Sequence, residues 1–305
     1  MGPALCHARS GADQAQAGAG VDVHFCGVRG STPAPGLPFA RYGGHTSSVA
    51  LAHDGRPPTL VLDGGTGLRN VTALLGGAPY DGSILLGHLH WDHVHGLPFF
   101  RGGGAPGARV GVQLPAPDGD PVGTLARGMS PPHFPIGPQQ LGPGWSFSGL
   151  TEGVHAVEGF RVLVREIPHK GGQTFGFRVS DDTGSLAYLS DHVPLSLGPG
   201  PDGYGERHAA ALELADDVDL LVHDAQFVAA EFPAVTYLGH ASVEYAMALA
   251  REAGARRLAM FHHSPERTDD EIDAIVRDLT AADLDMFAAA EGQTVHLART
   301  GAHVP

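Results

Sequence analysis

The stretch Ser83-Ile-Leu-Leu-Gly-His-Leu-His-Trp-Asp-His-Val-His-Gly96 decides how the rest of the chain is read. An apolar run of strand character leads through Gly87 into His88, His90, Asp92 and His93. Side chains alternate with a period of two along a strand, so His88 and His90 at its end point the same way. The turn that follows carries Asp92 and His93 round to a neighbouring point. Imidazole nitrogen and carboxylate oxygen are ligands that zinc, iron or manganese accept. Four such groups within six residues, directly after a buried-looking strand, point to a metal site and away from a histidine-rich surface turn.

Such a site closes only when other parts of the chain supply ligands. Three later segments each present one candidate after an apolar run or at a turn. They are His169 in Ile167-Pro-His-Lys-Gly-Gly172, Asp191 in Ala187-Tyr-Leu-Ser-Asp-His192, and His262 in Leu258-Ala-Met-Phe-His-His263. His95, His192 and His263 lie within two residues of these candidates and are expected to support them or to face solvent.

Short β-branched or apolar runs predict strands at residues 21–26, 48–52, 59–62, 83–86, 109–114, 161–167, 175–180, 185–189, 220–222, 257–261 and 294–297. Helical spacing covers 66–75, a segment near Gly96, 208–214, 242–253 and 269–280. Gly254 ends one of these helices. Asp269-Asp-Glu271 puts acids in the first turn of another, where the helix dipole favours them. Strands in two groups, with helices between and after them, suit an α/β fold in which two mixed sheets pack face to face with helices outside, an αββα sandwich. No internal repeat and no linker is visible, so residues 21–305 read as a single domain and residues 1–20 as a disordered tail. The Pro/Gly-rich stretches 102–108, 129–146 and 194–206 read as surface loops.

Composition narrows the function classes. Of the 305 residues 42% are apolar, yet no run approaches the roughly 18 needed to span a bilayer. The first twenty residues lack a continuous apolar core of the kind a secretory signal needs, which makes a cytoplasmic location the expectation. Two cysteines, Cys6 and Cys26, do not make a disulfide framework. A formal charge of −14 argues against general nucleic-acid binding, which needs a basic face. A small anionic substrate remains compatible, because bound cations reverse the local field. The 19 histidines equal Lys and Arg together, an unusual share for a soluble chain.

With these residues in view, His88-x-His90-x-Asp92-His93, then His169, Asp191 and His262 in that order, resembles the metallo-β-lactamase superfamily over residues 21–298. The resemblance implies two divalent ions, zinc first, with manganese or iron as alternatives. It assigns His88, His90 and His169 to one ion, Asp92, His93 and His262 to the other, and Asp191 as a bridge, with His155 the alternative to His169. It also implies a metal-bound hydroxide as nucleophile, oriented by Asp92, and admits a homodimer.

Further segments resemble the branch that contains tRNase Z and small cyclic-phosphodiester phosphodiesterases. They are Phe25-Cys-Gly-Val-Arg-Gly-Ser-Thr-Pro33, Tyr42-Gly-Gly-His-Thr-Ser-Ser48, Leu62-Asp-Gly-Gly-Thr-Gly67, Leu97-Pro-Phe-Phe100, Asp219-Leu-Leu-Val-His-Asp-Ala-Gln-Phe227 and Gly239-His-Ala-Ser242. That likeness gives His240 the task of protonating the leaving oxygen, and we read Asp224 as its orienting partner. A tRNA-gripping arm would lie between the third ligand and the bridging aspartate, where only 21 residues are present, enough for a hairpin. The expectation is therefore a phosphodiesterase for a small or cyclic anionic phosphodiester, with no membrane partner. A lactone or ester hydrolase, an iron-dependent redox protein, or a binding module with a structural metal are the competing classes. Residues 129–136, with His133 and Phe134, are a candidate substrate lid.

Overall fold

A computed structural model describes residues 20–298. The tail read over 1–20 lies outside the described residues except for Gly20, and Cys6 lies outside them too. The strands are β1 (Val21–Gly27), β2 (Ser48–His53), β3 (Leu60–Leu62), β4 (Asp81–Leu85), β5 (Arg109–Pro115), β6 (Trp145–Leu150) and β7 (Gly153–Val157). They continue as β8 (Phe160–Glu166), β9 (Phe175–Ser180), β10 (Ser185–Leu189), β11 (Leu220–Asp224), β12 (Arg257–Phe261), β13 (Asp285–Ala288) and β14 (Thr294–Leu297). The helices are α1 (Leu68–Leu74), α2 (Trp91–Val94), α3 (Pro121–Ala126), α4 (Ala209–Ala215), α5 (Phe232–Val235), α6 (Val243–Glu252) and α7 (Asp269–Leu279).

Two seven-stranded mixed sheets result, in the orders β14-β1-β2-β3-β4-β5-β6 and β13-β12-β11-β10-β9-β8-β7. Strands β3 to β6 run parallel, as do β10 to β13, and antiparallel pairs complete each sheet. Between the sheets Phe25, Leu51, Leu62, Phe177, Tyr188 and Phe261 belong to one buried cluster. Outside one sheet, Ile84 and Val112 pack with Leu68 of α1; outside the other, Leu189 and Leu258 pack with α4 and α6. Parallel strands covered on both faces are apolar at every position, which is why β10 reads as an unbroken buried run. The αββα sandwich expected from the order of elements is the architecture observed.

The strands with no counterpart in the sequence reading are β6, β7 and β13. All three lie at sheet edges. An edge strand buries less, and β6 (Trp-Ser-Phe-Ser-Gly-Leu) and β7 both show partly exposed positions along their length. Helix ends were clearer. Ser242 accepts a hydrogen bond from the Tyr245 N–H, and Thr268 with Glu271 forms a capping box at α7.

The loop after β3 is bound to α2 backbone to backbone: the Gly64 N–H donates to the His93 carbonyl, and the Gly96 N–H to the Gly64 carbonyl. A Cβ on Gly96 would stand 1.9 Å from the Gly65 carbonyl oxygen. Gly96→Ala is therefore expected to cost about 3 kcal/mol or more of stability, because backbone must move to admit the methyl. Urea unfolding beside the unsubstituted protein measures this; a loss under about 0.5 kcal/mol would show that the two segments are not so tightly apposed.

Candidate metal centre

The carboxyl ends of strands deliver the cluster. His88 and His90 follow β4, and α2 then turns Asp92 and His93 back beside them. His169 follows β8, Asp191 lies two residues beyond β10, and His262 follows β12 directly. Ligands in open α/β sheets gather at such strand ends, where backbone groups are freed from the ladder.

Two groups of donors form there, sharing one residue: His88, His90, His169 and Asp191, and Asp92, His93, Asp191 and His262. In the first, His90 Nδ1 is 3.3 Å from His169 Nε2, and Asp191 Oδ1 is 3.6 Å from His169 Nε2 and 3.7 Å from His88 Nε2. In the second, His93 Nε2 is 3.0 Å from Asp191 Oδ2 and 3.2 Å from Asp92 Oδ2. His262 Nε2 is 3.1 Å from Asp92 Oδ2 and 3.4 Å from Asp191 Oδ2. Donor atoms about 2.0–2.2 Å from one ion, at tetrahedral corners, lie about 3.3 Å apart. The observed edges have that length, and the two oxygens of Asp191 face different groups.

Buried polar atoms normally find hydrogen-bond partners. Here His88 Nε2, His93 Nε2 and Asp191 Oδ2 are buried and have none. A cation in each group would satisfy them, so the donor set suits metal. Burial, then His93, pushes the His88 imidazole well below its usual pKa, and burial holds His90 down and His169 at about 4. All three therefore offer lone pairs. Burial also disfavours charge on His93 and His262, but Asp191 raises both, His262 to about 8. Burial opposes ionisation of Asp92, yet His93 and a hydrogen bond from His262 hold its carboxyl far below the usual range.

Neighbours fix which nitrogen each ring presents. His93 Nδ1 donates to Asp63 Oδ2 at 2.8 Å, leaving Nε2 for an ion. Asp63 also accepts from the Gly87 N–H and the hydroxyls of Tyr188 and Ser190. Its φ of 62° turns the chain under α2. The sequence reading quoted the segment Leu62–Gly67 but gave Asp63 no task; an acid straight after a buried strand, followed by Gly-Gly, was the available signal. His169 Nδ1 donates to the Gly239 carbonyl at 3.0 Å, and the Ser31 N–H donates to Asp92 Oδ2 at 2.7 Å.

His240 and Asp224 meet as read: His240 Nδ1 donates to Asp224 Oδ2 at 3.0 Å. The ring of His240 lies 4.9 Å from that of His262 and 5.4 Å from that of His169. Asp224, His240 and His262 form a third possible donor group. The Asp224 carboxylate, however, already accepts from the N–H groups of His192, Gln226 and Ala241, which suits an orienting acid better than a ligand.

His155 is corrected. It lies on edge strand β7 with Nε2 2.8 Å from the Thr151 carbonyl, apart from all three groups. His95 is exposed and stacks on Trp91, while His192 is buried between His223 and His208. His263 bonds the Ala289 carbonyl, and His45 pairs with Glu291. Met129, His133 and Phe134 line a cleft of 590 Å³ whose lining also includes His88 and His90.

Two outcomes follow from these contacts. Asp63→Asn, which exchanges the charged acceptor behind His93 for a neutral one, is expected to weaken zinc binding about 10–100-fold in a competition titration with a chelator. Unaltered affinity would remove Asp63 from the support of the site. In metal-free protein the raised His262 favours folding below its unfolded pKa of about 6.5, and that contribution is lost as pH rises through about 8. Metal needs the neutral ring, so zinc affinity rises over the same interval and binding releases protons. Melting temperature and zinc affinity at pH 6.5 and 8.5 should thus move in opposite directions; parallel movement would contradict the assignment.

Comparison with known proteins places this geometry. The profile of the beta-lactamase superfamily domain matches residues 60–263, which hold every donor named above. Ribonuclease Z of Salinibacter ruber is 26% identical over 266 residues, covering 74% of this chain and 81% of that protein. Ribonuclease Z of Brevibacillus brevis is 36% identical over 89 residues, which span only 29% of this chain and 28% of that protein. Among solved structures, the metallo-beta-lactamase fold protein YhfI from Bacillus subtilis superposes with a TM-score of 0.67 at 16% identity, covering 91% of this chain and 99% of that one. From the family match over 60–263, this chain belongs to the beta-lactamase superfamily.

Proposed function

We infer that this metal-dependent hydrolase cleaves a compact phosphodiester with two divalent ions, zinc in the first instance. The observation that carries the reading is one buried carboxylate, Asp191, shared by two donor groups, with a His240–Asp224 pair beside them. The Salinibacter relative, named for a ribonuclease, supports phosphorus over carbonyl carbon as the centre attacked. A small substrate is supported by the net charge of −14 and by the short β9–β10 hairpin between His169 and Asp191.

His88, His90 and His169 would hold one ion, Asp92, His93 and His262 the other, and Asp191 both. Bound there, the ions would polarise a phosphoryl oxygen and make water acidic enough to attack near neutral pH. The protein's own part is positional and protonic. Asp92 is fixed by the Ser31 N–H and orients the incoming water. Water gives up a proton to solvent as a bond from its oxygen to phosphorus forms, and the bond to the departing oxygen breaks. His240, its Nδ1 committed to Asp224, supplies a proton from Nε2 to that oxygen and regains one from solvent.

Bis(p-nitrophenyl) phosphate and a cyclic-nucleotide panel test this. Metal-dependent turnover is expected, with losses of about 10³-fold or more in His90→Ala and Asp191→Ala. His240→Ala should lower turnover about 10²–10⁴-fold where an alkoxide departs, and less where p-nitrophenolate does, because the latter needs no proton. Lactone hydrolysis without turnover of any phosphodiester would move the assignment to carbonyl chemistry.

A further inference from the structure

The cleft beside His88 and His90 has a character that the cluster chemistry does not explain. It is walled by Trp91, Phe99, Met129 and Phe134, and at 590 Å³ it has the size of a small-molecule site. Trp91 is 69% exposed and Phe99 63%, although aromatic rings of that size are usually covered. Neither ring is loosely placed. His95 stacks on Trp91 at 5.5 Å and 20°, and Phe134 meets Phe99 edge to face at 6.1 Å and 84°. Rings held this way lose little freedom when a ligand arrives.

The lining carries two permanent cations, Arg127, which pairs with Asp118 at 3.0 Å on the surface, and Lys170, whose Nζ donates to the Tyr237 carbonyl. Besides the His88 ring nitrogens, two hydroxyls of the lining, those of Thr124 and Thr174, are buried without a hydrogen-bond partner. The Thr174 side chain is buried, 2% exposed, and its Oγ1 has no hydrogen-bond partner.

We propose that this cleft receives a planar aromatic group of the substrate, ester-linked to the phosphorus, and that Trp91, Phe99 and Phe134 set that specificity. The group lies flat against the exposed rings. Because His88 and His90 belong to the same lining, one ester bond joins the aromatic group in the cleft to the phosphoryl group at the cluster. The proposal rests on the phosphodiester reading for the linkage, but not for the cleft. It favours nucleoside or aryl diesters over methyl diesters.

The test uses p-nitrophenyl diesters with one leaving group and a second substituent of methyl, phenyl or thymidin-5′-yl. In zinc-loaded protein, kcat/KM for the phenyl and thymidinyl esters should exceed that for the methyl ester about tenfold or more. Phe134→Ala, distant in sequence from every ligand, and Trp91→Ala should both bring that ratio towards one, while Trp91→Phe keeps most of it. A second measurement needs no turnover: phenylphosphonate should bind about tenfold more tightly than methylphosphonate and quench tryptophan fluorescence, with the quench lost in Trp91→Phe. If no diester is cleaved but phenylphosphonate shows this preference, the cleft assignment holds and the phosphodiesterase reading fails. If diesters are cleaved with the same ratio in Phe134→Ala as in the unsubstituted protein, or the two phosphonates bind alike, the cleft assignment is overturned and the phosphodiesterase reading survives.

Discussion

A carboxylate with one oxygen facing each of two imidazole groups is the constraint on which this structure depends. Asp191 is 1% exposed, with His88, His93, His169 and His262 around it. Removing so many polar groups from water is costly unless their charges are matched. Protons on the His93 side can match them in part, since Asp191 raises the basicity of both His93 and His262. The His88 side has no such remedy, for burial keeps those rings neutral and leaves both nitrogens of the His88 ring without a hydrogen-bond partner. Cations relieve both difficulties at once.

Around that centre the fold spends its irregular features on position. Asp63 and Ser31 adopt left-handed backbone, with φ of 62° and 61°, and each contacts a proposed ligand, His93 and Asp92 respectively. His262 does the same at φ 57°. A Cβ at Gly30 would stand 2.4 Å from the His262 ring, so that glycine leaves the imidazole its place. Unfavourable dihedrals of this kind persist only where surrounding contacts hold them, and they concentrate at working sites.

Much of this could be read before any coordinates, and for a physical reason. His88 to His93 lie close in the chain, so strand alternation and one turn of helix suffice to gather them. His169, Asp191 and His262 are legible because each follows an apolar run, and strand ends converge in a layered α/β fold. Helices α6 and α7 announce themselves by their caps. Asp63 leaves only a faint mark, an acid between a buried strand and Gly-Gly, since its contact with His93 arises from an unusual turn and a crossing of two backbones. Strands β6, β7 and β13 were missed because edge positions are half exposed and leave a faint pattern. Trp91 and Phe99 gave no signal in the sequence, where an aromatic ring looks the same whether it is covered or bare.

The order in which strands occur along the chain has a consequence for synthesis. His262 meets Asp92 across 170 residues, and β14 returns to pair beside β1, with His296 reaching Asp22 across 274. As the polypeptide leaves the ribosome, the histidine-rich turn after β4 emerges long before the partners that complete it. For most of translation it is an incomplete chelator attached to an unfinished sheet. Domains fold as units, and of the two donor groups the one that shares Asp92 and His93 is whole only after β12 has been made and His262 follows it.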